Sequence, residues 1–307
     1  MTFLGFLLFV LHTEVTSVEA SPCCAQASGV PALITGDERI NLGFGFSNGT
    51  VIGDAPAAGG GVPVFRDSLS PRESRTLGVI NAATLLDGDR LQAGISMPFQ
   101  WNRISSGRTE SSHMAPGDLS LTLGHESLPE WEYSLWKPRG FSFFQLTLPT
   151  GRSIHESADA SAGDVTGSGQ VALSMGFVAL KRWSVWDAQA MVRFGRLFAK
   201  NFDSGIRVGS GWSGGGSVGG GFSFRERFRL GGNLGVEALT AVPVRGGGVE
   251  SGGAARLVWT AGAQLSWLQG DEDTWIVGYA DQTLFGPALN TTLARTFSLS
   301  FMHRIER

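Results

Sequence analysis

The chain has 307 residues and a formal net charge of −3, and only 17% of its residues are charged, against roughly 25% in soluble domains. That balance leaves no basic footprint, so nucleic acid is not an expected partner. Glycine is abundant, at 44 residues, and the aromatic content rests on 20 Phe and 9 Trp with only 2 Tyr. The mean hydropathy of +0.05 suits a soluble protein, but it equally suits a transmembrane barrel whose polar lumen face offsets its lipid face.

Phe3 to Leu11 form an apolar run of signal-core length, too short to cross a bilayer as a helix. Small-x-small sites follow at Val18-Glu19-Ala20 and Ala25-Gln26-Ala27. A signal peptide over 1–27, cleaved after Ala20 or Ala27, is expected, with a barrel over 28–307. No Lys or Arg precedes the apolar core, a departure from the usual leader. Cys23 and Cys24 are adjacent, and Ser21-Pro22 before them fits a lipidation signal poorly. No Cys/His spacing suits zinc, and no cofactor or metal site is expected.

From there on, strict two-residue alternation dominates. Twelve segments carry it: 39–48, 73–86, 89–101, 117–126, 139–149, 168–180, 184–198, 216–226, 228–243, 254–268, 272–283 and 292–304. The clearest is Leu91 to Trp101, where Leu91, Ala93, Ile95, Met97, Phe99 and Trp101 oppose Gln92, Gly94, Ser96, Pro98 and Gln100. Strands of this length cross a bilayer when tilted. Pro98 lacks a backbone N–H, so a bulge or local break is expected there. The segment at 73–86 alternates least well.

The connections alternate in length. Short ones fall at Asp87-Gly88, Lys181-Arg182-Trp183, Arg227 and Gln269-Gly270-Asp271, with Ser127 to Pro138 the longest on that side. Long polar ones run through 49–72, 102–116, 150–167, 199–215, 243–253 and 284–291. Short periplasmic turns and long outer loops produce this rhythm, with both termini on the periplasmic side. The fold class predicted is an all-β, antiparallel, up-and-down transmembrane barrel of about twelve strands in the cell outer membrane. Its partners would be the lipid bilayer, a small-molecule solute and the barrel-assembly machinery. Many barrels end on an aromatic residue, whereas Phe301 is the last one here.

Trp101, Trp186, Trp267 and Trp275 lie near strand ends and are expected to form interfacial aromatic girdles. Asp187, Gln189, Arg193, Glu237, Arg256 and Gln264 are expected to line the lumen. The charged members are read as an ion-pair network before a dedicated solute site. A narrow or plugged pore follows from the strand number.

Three short elements carry a family resemblance. Gly117-Asp118-Leu119 opens a strand, Leu148-Pro149-Thr150-Gly151 ends one at a long loop, and Gly167-Ser168-Gly169-Gln170 precedes Leu173, Gly176 and Phe177. Over Gly117 to Arg193 the chain resembles the Gram-negative outer-membrane proteins named for the meta-cleavage pathway of phenol degradation. The resemblance implies a barrel of about twelve strands and uptake of hydrophobic or aromatic compounds.

Catalysis finds little support. Gly211-Trp212-Ser213-Gly214-Gly215 matches the serine-hydrolase elbow, which needs a strand before it and a helix after it. Neither is expected in this glycine-rich stretch. His113, His125, His155 and His303 are scattered. His155-Glu156 with Asp159 and Asp164 reads as a solvated acidic loop, although carboxylates also suit calcium. The leading expectation is therefore a non-enzymatic outer-membrane channel for passive uptake of small, hydrophobic or aromatic solutes. A non-conducting structural or adhesion barrel acting through its long loops is the second.

Overall fold

In this chain the alternation closes a wall. The computed structural model describes residues 31–305 apart from 57–62, 68, 69, 71, 87–89, 107, 108, 131, 160, 226, 247 and 248. The expected signal peptide, both cysteines and the Asp87-Gly88 turn lie outside the described residues.

Twelve long strands build the barrel among the described residues. They are β1 (Ile40–Ala55), β2 (Arg72–Leu85), β3 (Leu91–Ser106), β4 (Leu119–Leu128), β5 (Arg139–Leu148) and β6 (Ala172–Arg182). The second half is β7 (Trp186–Leu197), β8 (Gly211–Phe224), β9 (Phe228–Leu239), β10 (Arg256–Gln269), β11 (Asp273–Asp281) and β12 (Thr291–Ile305). Each pairs antiparallel with its sequence neighbours, and β1 pairs with β12 from Ile40↔Ile305 to Ala55↔Thr291, which removes both edges. A closed sheet pairs its backbone groups internally, the condition for crossing hydrocarbon without helices.

The outer face is apolar and uncovered. Phe44, Ile80, Ile95, Leu123, Phe144, Met175, Val192, Val218, Val277 and Phe297 are all exposed on it. A belt of this extent far exceeds what a soluble monomer leaves in water, and it fits lipid. The short turns 183–185 and 270–272 lie at the same end as the start of β1 and the close of β12, the end that is periplasmic in barrels with short turns on one side. Gly270 adopts a φ of 73° in its turn, a conformation that suits glycine.

All twelve alternating segments are strands, including 73–86, the least regular. Pro98 does mark a break, though not in its own strand. The β2 ladder runs through Val79↔Pro98 unshifted. On the other side β4 pairs with β3 only as far as Ser96↔Ser120, and a short strand, Thr109–Pro116, takes over from Phe99↔Pro116. Between them Gly117 donates its N–H to the Pro98 carbonyl at 2.8 Å.

Two expectations fail here. The stretch 102–116 is not an open loop but a hairpin that prolongs β3 and β4 outward, because its polar residues still alternate. Gly211 to Gly215 is not a loop either. It is the first turnless stretch of β8, paired with β7 from Gly211↔Leu197. Without a strand-to-helix bend, the serine-elbow geometry is absent from these residues.

Candidate transport lumen

The barrel interior is filled unequally. Near the periplasmic end the segment 31–38, just ahead of β1, folds into the lumen. Gln92 points inward from β3 and clamps Ile34: its Nε2 donates to the Ile34 carbonyl at 3.1 Å, and the Ile34 N–H donates to its Oε1. Arg139 of β5 donates to the Thr35 and Gly36 carbonyls at 3.4 and 3.2 Å. The same guanidinium bonds Glu126 at 2.6 Å and Asp37 at 3.1 Å. Bare backbone makes room. A methyl on Gly94 would overlap the Ala32 carbonyl, and one on Gly124 would overlap Leu33 and Gln92.

Beside this segment the lumen wall is apolar. Phe141 and Phe143 of β5 and Val178 and Leu180 of β6 form a buried cluster, with Leu33 and Met191 packed against it. Phe143 lies across Gly176, where a side chain would collide with its ring. This cluster was missed in the alternation, which assigned Phe144, Leu146 and Leu148 to one face and stopped there. The signal was present: Phe141-Ser142-Phe143-Phe144 and Phe177-Val178-Ala179-Leu180 place apolar residues on both faces.

The wall formed by β8 to β10 is small and polar. Ser213, Gly215, Ser217, Gly219 and Gly221 of β8 share the parity of Arg193's register partner Gly215. Asn233 and Gly235 of β9 and Thr260 and Gly262 of β10 continue it. Arg193 and Glu237 meet across this strip at 3.2 Å. Asp187 engages a partner that sequence reasoning missed, Arg229, through Nε at 2.5 Å and Nη2 at 2.6 Å. Arg229 is 1% exposed, and its guanidinium occupies the space that side chains on Gly221 and Gly231 would take. Gln189 is buried, Gln264 half-buried. Arg256 stands apart near the outer end, donating to the Thr291 hydroxyl at 3.1 Å. The six residues thus divide into one ion pair between two of them, Arg193–Glu237, an aspartate paired with Arg229, two lumen-side amides and one rim arginine rather than one constellation.

Above the middle, the loop between β5 and β6 docks on the lumen-facing side of the β3 hairpin. Asn102 donates to the Gly163 and Val165 carbonyls at 3.1 and 2.8 Å. Asp118 accepts from the Gly151 and Ser168 N–H groups at 3.0 and 2.7 Å. The Thr150 hydroxyl donates to the Gly117 carbonyl at 2.6 Å. The three resemblance elements therefore meet at one loop anchor. Asp159 accepts from the Ser111 hydroxyl and from Ser161 and Gly163, with His113 Nε2 3.4 Å away. Those bonds, led by Ser111, hold its carboxyl down at about 2. Burial opposes ionisation of Asp164, but bonds from Ser157, Arg152 and the Ala158 N–H hold it well below the usual carboxylate range. Glu156 faces Lys200 at 3.7 Å and His155 packs on Phe202. The carboxylates of the acidic loop are thus satisfied within the loop and by Ser111, His113 and Lys200 outside it, and no group of three or more His, Cys, Asp or Glu that could hold a metal occurs among the described residues.

Three of the four tryptophans expected in the girdles lie at strand ends. Trp186, Trp267 and Trp275 are all periplasmic, where Trp186 meets Phe222 and Trp275 meets Phe301, each at 4.8 Å. Trp101 lies five residues short of the outer end of β3 and donates to the Ser112 hydroxyl at 2.7 Å.

No family model matches the chain, and no curated protein sequence matches it. Solved structures do. An outer-membrane channel from Pseudomonas putida F1 superposes with a TM-score of 0.67 at 14% identity, covering 91% of this chain and 99% of that one. The transport unit of the autotransporter AIDA-I from Escherichia coli gives a TM-score of 0.50 at 6% identity, over 95% and 94%. At these identities the likeness is one of fold, and the fold is that of an outer-membrane β-barrel.

Proposed function

We propose that the chain is a passive outer-membrane channel for small apolar or aromatic solutes, gated by its own N-terminal segment. The observation that carries this reading is the lumen cluster of Phe141, Phe143, Val178 and Leu180. A barrel wall needs apolar residues toward lipid, not toward the lumen, so apolar residues there call for another reason. A ligand pocket lined by such residues with a few placed polar groups takes apolar ligands. Leu33 covers the cluster, so an apolar solute competes with Leu33 for the same surface. The resemblance over Gly117 to Arg193 points to the same solute class.

In this reading Asp187, Gln189, Arg193, Glu237, Arg256 and Gln264 line the polar side of the path and set its ion preference. Trp101, Trp186, Trp267 and Trp275 hold the barrel at the two membrane interfaces. The test is uptake of an apolar aromatic fluorophore by cells that carry the chain, with Phe143→Asp as comparison and gel mobility of unboiled protein as the folding check. Uptake that exceeds cells lacking the chain and falls in the folded variant supports the reading. Uptake equal in all three strains overturns it.

A further inference from the structure

The outer rim carries a second feature, unrelated to the lumen. A cavity of about 580 Å³ lies at the outer ends of β1, β2 and β3, lined by Thr50, Arg66, Arg72, Ser74, Arg103 and Ser105 among others. Thr50, Ser74 and Arg103 are register partners across the three strands. One step toward the membrane on the same face come Asn48, Thr76 and Trp101, and further down Phe44 and Ile80. Thr50, Arg72, Ser74, Arg103 and Ser105 of its lining therefore share the lipid-side parity, just beyond the apolar belt, while Val51 and Glu73 have the opposite one.

Its three arginines differ in what they hold. Arg66 is fixed by Asp54 at 2.8 Å and Glu73 at 3.4 Å. Arg103 has its Nε on Glu110 at 2.6 Å, yet its side chain is 62% exposed and the pair is open to water, where such pairs contribute little. Arg72 is exposed and makes no ion pair with a described residue. Asp67 and Glu73 also line the cavity, but Glu73 is already bonded by Arg66 and Arg75.

The pattern recurs on the far side of the barrel. Arg196 of β7 lies two residues outward of Phe194 on the lipid face. Its guanidinium rests 4.9 Å from the Trp212 ring and 6.0 Å from that of Phe198. Two strand residues correspond to about 7 Å. Arg103 and Arg196 thus stand roughly 7 Å beyond the aromatic edge of the belt, the level of lipid headgroups, and Arg72, opposite Ser105, about 14 Å beyond it along the strand. A guanidinium fork matches phosphate oxygens in a bidentate way, and Trp101 offers a flat amphipathic bed beneath.

We propose that the rim cavity binds the phosphorylated headgroup of an outer-leaflet glycolipid, with Arg72 and Arg103 as its phosphate ligands. The acyl chains would run down the lipid face past Trp101. The test is native mass spectrometry of the detergent-solubilised full chain with diphosphoryl lipid A, with its dephosphorylated form, and with inorganic phosphate as competitor. The wild type should hold diphosphoryl lipid A at least about tenfold more tightly than R72A/R103A does, since charge-assisted bonds are the strong ones. The variant should still run as folded barrel on unboiled gels. Equal retention by R72A/R103A would overturn the proposal. So would equal binding of the dephosphorylated lipid, which leaves only acyl contacts, or full competition by inorganic phosphate, which makes the site one for free anions.

Discussion

Gln92→Leu isolates the lumen clamp. The side chain keeps its size, and the β3 ladder through Gln92↔Leu85 uses only backbone. What disappears is the pair of bonds to Ile34, a residue 2% exposed. Each such bond contributes about 0.5–1.5 kcal/mol net, and a buried group left unpaired costs about 1–3 kcal/mol. Local loosening recovers part of that cost, so about 2–3 kcal/mol against the seated segment is the working figure. That shifts the seated-to-released ratio by roughly 30- to 150-fold. Single-channel recording in planar bilayers reads the shift directly. The variant should show longer and more frequent high-conductance openings, while unboiled gel mobility stays that of the folded barrel. Open probability and dwell times matching the wild type in a folded Gln92→Leu barrel would refute the clamp.

Gly94→Val and Gly124→Val should displace the same segment by steric overlap, again raising conductance; an unaltered trace in both would argue that the segment lies elsewhere. Arg193→Ala should move ion preference toward cations and Glu237→Ala toward anions, since each exposes its partner's charge. Reversal potentials unchanged in both would remove this pair from the conducting path. Asp187→Leu removes both bonds that Asp187 accepts from the 1%-exposed Arg229 guanidinium and should cost about 1.5–3 kcal/mol, read as a lower unfolding temperature. The β5–β6 loop should be sensitive to acid. Its Asp159 carboxyl is depressed in the folded state, so its anchoring is complete above about pH 4 and is lost as pH falls through about 2. Pepsin cleavage within 152–168 should rise across that window, and a flat profile would contradict the latch.

How far the sequence carries the structure depends on which face a residue serves. The lipid face was legible in most strands, because hydrocarbon favours an apolar residue at every second position; it was weakest in β2, whose lipid side carries Ser74, Thr76 and Gly78. Leu91 to Trp101 and Phe297 to Phe301 show that constraint plainly. The lumen face was legible only where it is polar. Phe141 and Phe143 escaped because a strand apolar on both faces has no period to detect. Arg229 escaped because its neighbours Gly221 and Gly231 form part of the site only in space. The hairpin at 102–116 was hidden by composition, its alternation being among Ser, Glu, His and Arg rather than between polar and apolar. The clamp on Ile34 was beyond reach, since a Gln and a backbone 58 residues apart leave no pattern.

Photocrosslinking with a small apolar aromatic diazirine, applied to intact cells and mapped by peptide mass spectrometry, bears most directly on apolar solutes passing through this lumen. Adducts on the lumen-facing Phe143, Val178 or Leu180, diminished by excess unlabelled solute, are the predicted result. Adducts confined to lipid-facing residues such as Phe144 and Val192, with the lumen unlabelled, would contradict the account.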